Sequence, residues 1–128
     1  MSAPSVNTFV MNAFALGAFT AALGVLLGAF GAHALSSLSP THMAWWHTGT
    51  QYLFIAAFGM MLEGLRVPVP LTVRDPALLL AFGALFFSGS LYAMALGAPR
   101  SLGMITPIGG VALVAGFVLI GMRALKLR

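Results

Sequence analysis

Four apolar runs, Phe9 to about Ala32, Trp45 to Leu65, Ala77 to Leu96 and Gly103 to Leu125, take up most of the sequence. Each has about the 20 residues that cross a bilayer as a helix. Hydrophobic residues make up 60% of the chain and charged residues 6%, too few polar side chains to cover so much apolar surface in water. The sequence therefore predicts an all-α integral membrane protein. Its single domain is a four-transmembrane-helix bundle with spans at about residues 9–32, 45–65, 77–96 and 103–125, and no stretch remains for a soluble module.

The breaks between runs have their own chemistry. A serine-rich stretch closed by Pro40 ends the first run, and Arg66-Val67-Pro68-Val69-Pro70 ends the second, because proline lacks the amide proton a helix needs. Asp75-Pro76 reads as the start of the third helix, and Ala98-Pro99-Arg100 as its end. Met1 to Thr8 hold no cluster of bases, and the run that follows is longer than the hydrophobic core of a signal peptide, so this segment is expected to stay as helix one.

Orientation follows from the bases. With four spans, Arg66, Arg74, Arg123, Lys126 and Arg128 share the side of the termini, and Arg100 stands alone on the other. Both termini are expected in the cytoplasm, or in the matrix of a mitochondrial protein. The net charge of +4 comes from bases placed singly beside apolar runs. They suit lipid headgroups and form no basic stripe for nucleic acid. The absence of cysteine excludes disulfides, thiolate metal sites and cysteine nucleophiles.

Lipid gives apolar helices little reason to associate, so close approach through small residues is expected to hold the bundle. Gly24 and Gly28 with Ala32, continued one side earlier by Gly17 and Ala21, Gly89 and Ala93 with Gly97, and Gly109 with Ala112 and Gly116 form such stripes on helices one, three and four. They are the candidate packing faces.

Polar side chains gather at one depth, toward the side opposite the termini. His33 ends helix one, His47, Thr50 and Gln51 share a face of helix two, Ser88 and Tyr92 lie in the outer half of helix three, and Thr106 opens helix four. One reading is a pocket or proton relay with His33 and His47 at its centre; the other is hydrogen bonding between helices. His33, His42 and His47 match no metal-binding spacing and have no carboxylate on their side, so no metal is expected. Asn12, about one turn inside helix one, is a candidate to bond a neighbouring helix or a headgroup. Glu63 is expected to pair with Arg66 at the headgroup level, three residues along the same helix. No Ser/His/Asp set, phosphate loop, paired carboxylates or haem motif can be assembled, so neither catalysis nor a cofactor is expected.

Four blocks in order carry a resemblance: Leu27-Gly28-Ala29-Phe30-Gly31-Ala32-His33; Trp45 with Thr48-Gly49 and Gln51-Tyr52; Phe87-Ser88-Gly89-Ser90-Leu91-Tyr92; and Thr106-Pro107-Ile108-Gly109-Gly110. In these the chain resembles the DUF423 family, which includes bacterial inner-membrane proteins of the UPF0382 type and the eukaryotic transmembrane protein 256. The resemblance implies a four-span inner-membrane protein and brings no biochemical activity with it. Members often carry a histidine four residues after the tyrosine, where this chain has Ala56, which counts against a role built on a histidine pair.

Three classes of function compete. The first is a non-enzymatic subunit that acts by association, as an accessory or stabilising part of a membrane assembly or as a small homo-oligomer surrounded by membrane lipids. The second is a transporter or channel using the outer polar layer. The third, a membrane enzyme, would need His33 to act with hydroxyl neighbours and lacks a paired acid or base. The expected location is the bacterial inner membrane, or the mitochondrial inner membrane in a eukaryote.

Overall fold

The computed structural model describes residues 10–126, which form four α-helices joined by short connections. They are α1 (Ala13–Ala34), α2 (Pro40–Arg66), α3 (Pro76–Ala95) and α4 (Thr106–Lys126), with a short 3-10 helix, Arg100–Met104, before α4. The expected start of helix one at Phe9 and the terminal base Arg128 lie outside the described residues.

Helix boundaries depart from the hydropathy pattern where a polar cap decides them. Asn12 sits just before α1, not inside it, and its side-chain oxygen accepts a 2.8 Å hydrogen bond from the Ala15 amide. Asparagine is among the best residues for that task. The start of α2 is a second correction. Pro40 opens this helix instead of closing the stretch before it, with Ser39 as the capping residue. A proline at the first helical position loses no hydrogen bond, and serine satisfies the free amides behind it. Asp75 caps α3 in the same way, accepting from the Ala77 amide at 2.9 Å. At the fourth helix, Pro107 has no amide proton to bond the carbonyl of Gly103. The chain makes a 3-10 turn there, and α4 begins at Thr106, later than the expected Gly103.

The helices run up and down. Gly17 lies against Met61, Gly24 against Phe54 and Gly31 against Trp46, so α1 and α2 are antiparallel; Gly49 against Ser88 and Gly59 against Leu80 show the same for α2 and α3. Gly83 against Leu113 and Gly116 against Leu80 complete the pattern for α3 and α4. α2 packs along α1 and α3, while α4 lies along α3 and barely reaches α2. Leu53, Ala56, Met60, Leu80 and Leu113 form the core between them.

Three helical segments, α1, α3 and α4 with its preceding turn, are long and apolar enough to cross a membrane. α2, Pro40–Arg66, is as long as the longest of them but carries most of the polar side chains. Its buried positions Trp46, Gly49, Leu53, Ala56, Met60 and Glu63 alternate by three and four residues, the spacing of a helix packed along its whole length.

That spacing also corrects the small-residue stripes. On α1 the close contacts come every seventh residue, at Gly17, Gly24 and Gly31, whereas Gly28 only meets the Thr50 methyl at 3.7 Å. Helices lying side by side present the same face every seven residues, so a stripe at every fourth residue drifts out of the interface. Gly109 and Gly116, also seven apart, do pack tightly on α3. Gly89 does not: nothing lies within 4 Å of where its side chain would be, and Ala93, four residues on, is only half-buried. Gly83 is the close-contact glycine of α3 instead.

Candidate functional site

The end of the bundle where α1 and α3 finish and α2 and α4 begin holds the candidate polar residues. Its centre is Trp46, which is 2% exposed. The indole lies flat enough against α1 that any side chain at Gly31 would collide with it, and its Nε1 donates to the Leu27 carbonyl at 2.9 Å. On its other side the ring meets Tyr92, with centroids 4.3 Å apart. A buried indole needs a partner for its one N–H, and a helix carbonyl supplies it.

Thr50, one turn further along α2, continues the link. Its hydroxyl lies 3.1 Å from the Trp46 carbonyl and 2.7 Å from the Tyr92 hydroxyl. A threonine hydroxyl has one proton and a carbonyl only accepts. When Thr50 donates to Trp46, Tyr92 must therefore donate to Thr50, which gives the chain a direction. Ser88 adds a second tie between the same helices, donating to the Gly49 carbonyl at 2.6 Å.

Ser90 faces the other way. Two residues apart on a helix means nearly opposite faces, so Ser88 reaches α2 while Ser90 reaches α4. Its hydroxyl lies 2.5 Å from that of Thr106 and 3.0 Å from the Phe87 carbonyl. Ser90 donates to the carbonyl and Thr106 donates to Ser90.

The residues singled out from sequence thus divide. Thr50, Ser88, Tyr92 and Thr106 take part in hydrogen bonds between helices. His33, His47 and Gln51 are exposed and, among the described residues, join none of them. Trp46 and Ser90 were missed. An indole reads as an aromatic belt residue at a helix end, and Ser90 matters only once α3 is known to have a neighbour on each side.

Elsewhere, Glu63 is 4% exposed, covered by its neighbours in the last turn of α2. Both its oxygens are held by Arg66, from Nε at 3.0 Å and Nη2 at 2.9 Å. Arg100 lies over the Trp45 ring, 5.8 Å from its centroid. Among the described residues no cluster of three histidine or acidic side chains could hold a metal ion. A groove of about 680 Å³ runs between α2 and α4, bounded by Tyr52, Ile55, Phe87, Val114 and Phe117. It is almost wholly apolar, and Tyr52 is the one lining residue with a polar side-chain group.

Comparison with known proteins agrees on one group. The family model described as "Protein of unknown function (DUF423)" matches residues 27–110. A UPF0382 membrane protein of Staphylococcus epidermidis is 42% identical over 113 residues, covering 87% of this chain and 93% of its own length. The UPF0382 membrane protein YwdK of Bacillus subtilis is 40% identical over 120 residues, covering 87% and 94%. The UPF0382 inner membrane protein YgdD of Escherichia coli is 37% identical over 109 residues, covering 81% and 82%. No solved structure matches.

Proposed function

This chain belongs to the DUF423 family and is an inner-membrane protein, and on that premise we propose that it acts by association rather than catalysis. It serves as an accessory or stabilising subunit of a membrane assembly, or as a small homo-oligomer, and it crosses the membrane four times with both termini in the cytoplasm.

One observation carries the reading: each interface between successive helices is tied by a side-chain hydrogen bond at the outer end. Trp46 bonds Leu27 between α1 and α2, Thr50 bonds Tyr92 between α2 and α3, and Thr106 bonds Ser90 between α3 and α4. Hydroxyls and an indole placed this way pin the bundle and are spent on contacts between its helices. The four-span topology draws support from α2, which lies between two apolar helices and antiparallel to both. The orientation draws support from Arg66, Arg74, Arg123 and Lys126 at one end of the bundle and Arg100 at the other. Large apolar side chains face outward on three of the helices, as at Leu26, Leu62 and Val114.

A photo-crosslinking amino acid at Leu26 or Val114, activated in the native membrane, tests this. The proposal expects one protein band in high yield from at least one of the two positions. Lipid adducts alone at both would count against it.

A further inference from the structure

The opposite end of the bundle holds a cavity that none of the foregoing uses. It has a volume of about 310 Å³ and lies among the last turn of α2, the connection from α2 to α3 and the last turn of α4. Arg66, Arg123 and Lys126 line it together with Glu63, Asp75 and Thr72.

The two carboxylates are already engaged. Glu63 has both oxygens on Arg66, and Asp75 is the cap of α3. Of the bases, Arg123 gives one Nη2 bond to the Arg74 carbonyl at 2.9 Å, and the rest of its guanidinium has no hydrogen-bond partner among the described residues. Arg66 uses Nε and Nη2 on Glu63, so its Nη1 is turned away from that carboxylate. This nitrogen is buried and has no hydrogen-bond partner among the described residues. A buried charged donor without an acceptor costs free energy until one arrives.

We infer that this cavity binds a phosphate group, either in the headgroup of an anionic phospholipid or on a soluble phosphorylated compound. Guanidinium groups match tetrahedral oxyanions through paired N–H donors, and basic pockets between membrane helices are known sites for anionic headgroups. Arg66, Arg123 and Lys126 surround the charge, the Thr72 hydroxyl is a further donor, and a turn of the Arg66 guanidinium brings its covered Nη1 to the phosphate. The site lies at the end of the bundle where a headgroup would stand, whichever side of the membrane that end faces.

The full chain in nanodiscs containing spin-labelled phosphatidylglycerol or phosphatidylcholine tests the lipid source. Thermal stability of the chain in pure phosphatidylcholine discs, with inorganic phosphate against chloride at equal ionic strength, tests the soluble one. A lipid site gives a preference of about fivefold for phosphatidylglycerol, the worth of one well-placed cation. A site for a soluble phosphate gives a rise in melting temperature with phosphate and no lipid preference. In either case the effect is lost in the Glu63→Gln/Arg66→Gln double variant, which leaves the net charge unchanged. It also weakens in Lys126→Gln more than in Arg74→Gln, which removes the same charge from the same end but outside the cavity. The second pair of variants decides the matter if the double variant does not fold. Neither effect in the unaltered chain, or equal effects in Lys126→Gln and Arg74→Gln, would overturn the inference.

Discussion

The same substitution, glycine to alanine, is expected to have opposite signs at Gly109 and Gly89. A methyl group at Gly109 would stand 2.8 Å from the Gly83 oxygen and 2.8 Å from the Phe87 Cα, and nearer still to the Phe87 nitrogen. All three are backbone atoms that cannot rotate away. Ordinary contact begins at 3.4 Å, and the nearest of the three atoms sets the requirement, so α3 and α4 must separate by about 1 Å. A gap of that size forfeits about half of each dispersion contact across the interface, which places the overpacking cost in the upper part of its usual range, about 2–3 kcal/mol. Alanine's better helix propensity returns about 1 kcal/mol. Gly109→Ala should therefore destabilise by about 1–2 kcal/mol. Nothing lies within 4 Å of a methyl at Gly89, so only the propensity gain remains, and Gly89→Ala should stabilise by about 0.5–1 kcal/mol. Unfolding in mixed micelles of dodecyl maltoside and sodium dodecyl sulfate, followed by far-ultraviolet circular dichroism, measures both. A Gly109→Ala variant as stable as the parent, or a Gly89→Ala variant destabilised as much as Gly109→Ala, would refute the packing described for α3 and α4.

Further outcomes follow from the hydrogen bonds, the ion pair and the topology. In a double-mutant cycle, Thr50→Val and Tyr92→Phe should each cost about 0.6–1.7 kcal/mol and together cost clearly less than their sum, because one bond is lost in both; additive unfolding energies would argue against that bond. Arg66→Gln leaves the buried Glu63 unpaired and should cost about 3 kcal/mol or more, while Glu63→Gln/Arg66→Gln should be milder in the same unfolding assay. For the orientation, a cysteine at Ser37 should react with an impermeant maleimide on intact cells and one at Thr72 only after lysis; the reverse pattern would invert the assignment.

Much of this was readable from the sequence because the bilayer imposes one strong rule on it. Apolar length alone located four helices, and Asp75-Pro76 marked the start of α3 because an acid and a proline suit the first turn and little else. The same logic was available at Ser39-Pro40, yet a proline after a serine-rich stretch reads equally well as a stop. Only the cap geometry separates the two. The glycines were harder. Helix one carries both a four-residue series, Gly24-Gly28-Ala32, and a seven-residue series, Gly17-Gly24-Gly31, and the choice between them depends on how α1 and α2 cross, which no local pattern records. At the outer end, depth along the helices grouped Thr50, Ser88, Tyr92 and Thr106 without showing who bonds whom. Pairing is a property of facing, and facing was known only for residues on one helix. His33, His47 and Gln51 have the same depth and the wrong direction.

The central claim is that this protein works by associating with other chains in the membrane. Mild isolation from the native membrane, followed by native mass spectrometry of every stoichiometric component, tests it most directly. The account predicts a reproducible complex with another membrane protein or a homo-oligomer of defined number. A monomer that carries a small molecule or ion, and loses it on substitution of His33 or His47, would contradict it.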